Sequence, residues 1–154
     1  NFAVVNYTLA PEASMDEIVE ENREAVAWLV GHAAEYGVDP NRVHVVGHSA
    51  GGHLVAMLMA TDWSVQFTDL PENGPLAGAT AISGLFDLEP IRLSYLNDSL
   101  QLDQDQALRN SPVGLVPTAK VPLILALGVL QWVVPLKDPS FFRFHYACFH
   151  VSLS

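Results

Sequence analysis

The chain has 154 residues, half of them hydrophobic, which is enough for one domain with a sizeable core and excludes an intrinsically disordered protein. A net charge of −10 argues against nucleic acid or an anionic membrane as a partner, because both bind basic surfaces. The longest apolar run, residues 121–134, holds 14 residues broken by Pro122 and Gly128, whereas a membrane-spanning helix needs about 20. The single cysteine, Cys148, cannot form an intrachain disulfide, which favours a reducing, cytoplasmic location.

Strands and helices alternate along the chain, and this predicts an α/β fold with a mostly parallel sheet and helices on both faces. Ser14 and Glu17 carry the signature of a capping box, and the helix they open ends at Gly37. Residues 87–117 contain short helical pieces between Pro and Asn residues, and we expect them to form an excursion above the sheet. The predicted helices are 15–36 and 50–60, and the predicted neighbouring parallel strands are 2–7, 43–47, 77–83 and 121–127.

The segment Gly47-His48-Ser49-Ala50-Gly51-Gly52 lies between an apolar strand and a helix of small residues. This context is typical of a nucleophile elbow, a sharp strand-to-helix turn that presents a serine at its apex. Gly47 and Gly51 would permit the turn geometry, since a Cβ next to the serine would collide with the adjoining strand or helix. Ser49 is therefore the candidate nucleophile, and the backbone N–H of Ala50 is a candidate donor to an oxyanion.

Together with NYTLAPE at 6–12, ISGLFDLEP at 82–90 and VPLILA at 121–126, the elbow resembles the arylformamidase (kynurenine formamidase) branch of the α/β-hydrolases. The LAPE loop also occurs in hormone-sensitive-lipase-like esterases, but those usually have Asp before the nucleophile, where this chain has His48. The resemblance implies a serine hydrolase that cleaves amide or ester bonds without a cofactor. The implied substrates are small molecules, either N-formylkynurenine and related aryl formamides or small carboxylic esters.

The resemblance covers about residues 1–128. The family's His-Gly-Gly segment, which supplies part of the oxyanion hole, would precede Asn1, and no carboxylate follows Gly128 where the family places its acid. We therefore expect a partial α/β-hydrolase domain at 1–128, truncated at both ends, and a non-family tail at 129–154.

The predicted tail differs in composition from the rest of the chain. Residues 1–128 carry 16 acidic and 5 basic side chains, whereas residues 129–154 carry 1 and 2 and hold 6 of the 14 aromatic residues. A shifted reading frame or an unspliced intron would give this pattern. The alternative function is then a catalytically silent fragment or pseudoenzyme with little activity of its own, and the aromatic tail predicts association into oligomers.

The histidine of a catalytic triad is not assigned by the sequence. His48 is next to Ser49 and points away from its hydroxyl on a strand-to-helix turn, and His53 lies one turn along the helix, where packing is the ordinary role. His145 and His150 fit the chain order serine, acid, histidine, but their flanking residues do not match the family's histidine loop.

The acid of the triad is equally open. Asp87 follows the strand at 77–83, although capping of a short helix at 88–90 is its more ordinary role, and Asp138 fits only the chain order. A metal site is not predicted, because His145, Cys148 and His150 would give three ligands with no fourth.

Overall fold

The computed structural model describes residues 1–67, 70, 74–127 and 147–151, the last of these as backbone. Short 3-10 turns lie at Ala33–Tyr36 and Pro112–Gly114. The helices are α1 Met15–Gly31, α2 Ala50–Met59, α3 Trp63–Gln66, α4 Glu89–Arg92, α5 Asn97–Leu100 and α6 Gln104–Arg109. The strands are β1 Phe2–Val4, β2 Val43–His48, β3 Leu76–Ile82, β4 Leu123–Ala126 and β5 Ala147–Val151.

The five strands form one sheet in the order β1-β5-β2-β3-β4. β2, β3 and β4 are parallel neighbours, so helical crossovers connect them, and the carboxyl ends of all three strands lie at the same edge of the sheet. β5 is antiparallel to both β1 and β2. The structure is thus an α/β fold with a mostly parallel sheet.

The main core lies between this sheet and the two long helices. The side chains of Val43 and Val45 face the same side of β2, toward α1 and α2, because residues two apart in a strand share a face. Val55 and Leu58 on α2 and Val26 on α1 complete the contact and are fully or almost fully buried. This packing fixes the start of α2 against the ends of β2 and β3.

Two predictions about element boundaries need correction. The helix expected at 15–36 is an α-helix only to Gly31, after which His32 has φ −106° and ψ 9° and the chain continues as a 3-10 turn closed by Gly37 at φ 62°. The strand expected at 2–7 ends at Val4, and it is not a neighbour of β2, because β5 hydrogen-bonds between β1 and β2. The insertion of β5 between β1 and β2 depends on long-range pairing, which a local sequence pattern does not encode.

The predicted boundary at residue 128 stays a prediction. Residues 128–146, where Asp138 and His145 lie, are outside the described residues, so the chain's path from β4 to β5 is not part of the described fold.

Residues 85–113, which we call the roof, lie between β3 and β4 in the chain and form the short helices α4, α5 and α6. Their own small core contains Leu88, Leu102 and Ala107, and Met15 at the start of α1 packs against it. The two ends of the roof are joined by a hydrogen bond from the N–H of Val113 to the carbonyl of Phe86 (2.9 Å). This is the excursion that the sequence predicts.

Candidate active site

Ser49 occupies the single position between the end of β2 and the start of α2, with φ 57° and ψ −116°. A positive φ is strained for a residue with a Cβ and is found where the surrounding structure holds the backbone in place. Here the N–H of Ser49 donates to the carbonyl of Ile82 at the end of β3 (2.9 Å), and its carbonyl accepts from the N–H of His53 (3.1 Å). These two bonds anchor the turn to the sheet and to the helix.

Glycines make this turn possible. A Cβ on Gly47 would lie 2.2 Å from the carbonyl oxygen of Gly51, and a Cβ on Gly52 would lie 2.8 Å from the Cα of Gly84. Both distances are shorter than real Cβ contacts. The turn from β2 to α2 therefore requires Gly47, and the close approach of α2 to the end of β3 requires Gly52. Gly51 is buried and supplies the backbone atoms that Gly47 meets.

Ala50 is the first residue of α2. The N–H groups in the first turn of a helix have no partner within the helix and carry the positive end of its dipole. The first turn of α2 contains no acidic side chain that would compete for them. Half-buried Ser49 therefore lies directly before the anion-stabilising N-terminus of α2.

A cavity of about 360 Å³ opens beside Ala50. Its floor comes from the loop after β1 and from α1 and α2, and its upper wall comes from the roof. Most of its lining is apolar, and Tyr7, His53, Tyr95 and Ser99 are the lining residues with polar side-chain atoms. Burial raises the pKa of the Tyr7 phenol, so Tyr7 presents a neutral hydroxyl.

His53 is buried in α2, and its Nε2 is 2.8 Å from the carbonyl oxygen of Asn110. A carbonyl only accepts, so Nε2 carries the proton and donates it. Burial lowers the pKa of His53 to about 4, and the bond to Asn110 offsets this only in part. A ring with so low a pKa is a weak base, and its Nε2–H is committed to the roof, so His53 is poorly suited to take the proton of Ser49.

The other predicted candidates lie in different parts of the chain. His48 is the exposed last residue of β2, and Asp87 is exposed with its Oδ1 accepting from the N–H of Glu89 (3.0 Å), at the start of α4. Asp138 and His145 lie outside the described residues. His150 lies in β5, where its Cα pairs in register with those of Phe2 and His44, and Cys148 lies two residues before it.

Three features of the site were missed by the sequence reasoning. Ser83 is buried at the end of β3 with φ 49°, Gly84 packs against Gly52, and Asn110 holds His53. The Ser83-Gly84 pair, a small-residue step directly after a strand, is a signal that could have identified the surface on which the elbow packs. Nothing near Asn110 in the sequence indicates its partner 57 residues away.

The described part of the chain contains neither a membrane-spanning helix nor a metal-binding cluster. None of its helices is long and apolar enough to cross a membrane. Among those same residues, no group of three or more His, Cys, Asp and Glu side chains is placed to hold a metal ion.

A model of the BD-FAE family matches residues 1–144. The chain belongs to the BD-FAE family. Kynurenine formamidase of Salmo salar is 38% identical over 117 residues, which cover 76% of this chain and 37% of that protein, and the enzyme of Danio rerio is 36% identical over a match with the same coverage. The chain thus spans a little over a third of the length of these curated relatives.

Solved structures agree on the fold of this BD-FAE family member. An esterase of Pyrobaculum calidifontis superposes with a TM-score of 0.63 at 21% identity, covering 79% of this chain and 45% of the other. A truncated carbohydrate esterase from gut microbiota gives a TM-score of 0.65 at 17% identity, covering 86% of this chain and 56% of the other. At these identities the likeness shows a shared fold.

Proposed function

We propose that this chain is the nucleophile-bearing part of a serine hydrolase that cleaves ester or amide bonds in small molecules. The observation that carries the proposal is the conformation of Ser49, which is held at φ 57° between a strand and a helix N-terminus. The next residue, Ala50, lines an apolar cavity. Nothing in the packing of a structural turn requires a serine at a strained position, whereas a nucleophile needs the exposure that this turn gives it.

In the proposed reaction the hydroxyl oxygen of Ser49 attacks the substrate carbonyl, and the N–H of Ala50 donates to the oxygen that becomes negative. The leaving alcohol or amine departs, an acyl-enzyme forms on Ser49, and water releases the acid. The base that accepts the Ser49 proton and the carboxylate that orients it remain unassigned. His53 is a poor candidate for the base, because burial lowers its pKa to about 4 and its Nε2–H donates to Asn110.

The proposed substrates are aryl formamides, such as N-formylkynurenine, or small carboxylic esters. Two lines of support exist. The named activity of the two fish relatives is that of kynurenine formamidases. The cavity beside Ala50 has room for an aromatic ring or a short acyl chain within an apolar lining.

The experiment compares the purified chain with Ser49→Ala and with Ser64→Ala, a matched control that removes an exposed serine hydroxyl bonded to Asp62. A fluorophosphonate probe should label the chain and Ser64→Ala, and Ser49→Ala should remain unlabelled. Hydrolysis of p-nitrophenyl acetate and N-formylkynurenine should exceed the buffer rate and fall to it in Ser49→Ala. An unlabelled parent with only the buffer rate of hydrolysis would identify the chain as a catalytically silent fragment, and equal labelling of Ser49→Ala would contradict the role of Ser49.

A further inference from the structure

The roof supplies one whole wall of the cavity beside Ala50. Leu88, Ile91, Tyr95, Leu96 and Leu100 of the roof line the cavity, and Leu54 of α2 lies among the residues of its floor. A small shift of the roof relative to α1 and α2 would therefore change the width of the cavity. What holds the roof to these helices decides how well the cavity fits a ligand.

The C-terminal end of the roof is held by Asp16, in the first turn of α1. Arg109 donates from Nε and Nη2 to the two carboxylate oxygens of Asp16 at 3.0 and 2.5 Å. Asn110 donates from Nδ2 to Oδ1 of Asp16 at 2.7 Å. Two adjacent roof residues thus bind one carboxylate, and planar two-point pairing by Arg fixes orientation as well as distance.

The same roof residue also binds α2. The carbonyl of Asn110 accepts from His53, which lines the cavity floor, while its side chain binds Asp16. Asn110 therefore joins α1, α2 and the roof at one point. We call Asp16, Arg109, Asn110 and His53 the clamp. The hydrogen bonds from Arg109 hold the pKa of Asp16 below its usual value, so the carboxylate is charged at neutral pH.

We propose that Asp16 is a positioning residue for ligand binding: through Arg109 and Asn110 it sets the distance between the roof and α2, and so the fit of an apolar acyl or aryl group in the cavity beside Ala50. The identity of that group rests on the proposed hydrolase function. Asp16 itself does not line the cavity, so its effect on a ligand passes through the roof.

The test measures ligand affinity without hydrolysis. In the full chain carrying Ser49→Ala, calorimetry gives the Kd of p-nitrophenyl butyrate. Arg109→Ala should weaken binding about fivefold, as loss of a well-oriented ion pair implies. Asp16→Ala should weaken binding at least as much, because it also removes the acceptor of Asn110, and the double variant should be no weaker than Asp16→Ala. Because Arg109 is on the roof and Asp16 is on α1, the two variants perturb different elements, and both remove the contact between Arg109 and Asp16.

The matched control is Glu20→Ala, which removes a carboxylate from α1 that is also paired with an arginine, Arg23, at 2.9 Å, but that contacts no roof residue through that pair. Its Kd should stay within twofold of the parent. If Asp16→Ala lowers thermal stability but leaves the Kd unchanged, Asp16 has only a structural role and the proposal is overturned. An equal loss of affinity in Glu20→Ala, or additive losses of affinity in the double variant, would overturn it as well.

The outcomes separate this proposal from the proposed function. If the Kd values follow the expected pattern but the Ser49 chain neither hydrolyses esters nor reacts with a fluorophosphonate, the positioning role stands and the hydrolase proposal fails. If Ser49 is reactive but the Ser49→Ala parent binds no p-nitrophenyl butyrate, the hydrolase proposal stands and the positioning role fails.

Discussion

The turn around Ser49 and the roof above it are neighbours that are held together in different ways. The turn is fixed by backbone: Gly47 meets Gly51, Gly52 meets Gly84, and the N–H of Ser49 binds a carbonyl of β3. The roof is fixed mostly by side chains, namely those that bind through Asp16, His53, Asn110 and Ser111.

This difference predicts how each region tolerates change. Backbone packed at van der Waals distance has one arrangement, so an added methyl group has nowhere to go. Side-chain hydrogen bonds can be removed one at a time, and each removal costs the desolvation of the partner left behind. A substitution that adds atoms within the turn should therefore cause a large loss of stability, whereas substitutions in the roof should each cause a smaller loss.

The largest effect is expected for Gly47→Ala. Its Cβ would lie 2.2 Å from the Gly51 carbonyl oxygen and 2.3 Å from the carbonyl carbon, and neither can move without disrupting α2. We expect a loss of at least about 4 kcal/mol in the free energy of unfolding, measured by urea denaturation followed by circular dichroism.

The control for Gly47→Ala is Gly31→Ala, at the exposed last residue of α1, where an added Cβ meets no atom within 4 Å. Removing a helical glycine there should raise the free energy of unfolding by about 0.5 kcal/mol. A Gly47→Ala protein as stable as the parent would show that the turn is not held by backbone packing.

The second effect concerns the pH dependence of the clamp. His53 has a folded pKa of about 4 against 6.5 when exposed, so between these values the unfolded chain binds the proton and the folded chain does not. Stability is therefore fully present above pH 6.5 and falls by about 3 kcal/mol as the pH is lowered to 4. His53→Gln, which keeps a donor for Asn110, should lose this dependence, as urea denaturation at a series of pH values would show. Identical slopes in both proteins would contradict a buried neutral His53.

The sequence predicts the turn well because its determinants are consecutive. Gly47, Ser49 and Gly51 fall within five residues, and the strand before them and the helix after them have their own local patterns. The capping box of Ser14 and Glu17 is confirmed for the same reason, since both of its hydrogen bonds join residues three apart. Contacts between residues that are close in the chain can be predicted from the sequence.

The clamp and the position of β5 could not be predicted in this way. Asp16 and Arg109 are 93 residues apart, and each is by itself an ordinary charged residue at a helix end. β5 pairs with β1 and β2 through backbone groups that every residue carries, so composition does not identify its partners. Long-range contacts of this kind depend on the whole fold.

The third effect tests the roof alone. The buried hydroxyl of Ser111 accepts from the N–H of Leu88 (2.8 Å) and donates to the carbonyl of Ala107 (2.7 Å), which joins the start and the end of the roof. Ser111→Ala leaves the Leu88 N–H without its partner, and we expect a loss of about 1.5 kcal/mol in urea denaturation. Ser64→Ala, with an exposed hydroxyl, should change stability by less than about 0.5 kcal/mol. Equal effects of the two changes would mean that the Ser111 bonds do not hold the roof.

The smallest effect returns to the turn and measures its strain. At φ 57° and ψ −116°, Ser49 adopts a conformation that glycine reaches without steric conflict and alanine does not. Ser49→Gly and Ser49→Ala both remove the proposed nucleophile, so both should lose reactivity toward a fluorophosphonate. They should differ in stability, with Ser49→Gly about 1 kcal/mol more stable than Ser49→Ala in urea denaturation, because only alanine retains the strain of a Cβ. Equal stability would mean that the turn relaxes when the hydroxyl is removed, and the conformation of Ser49 would then depend on its side chain rather than on the backbone packed around it.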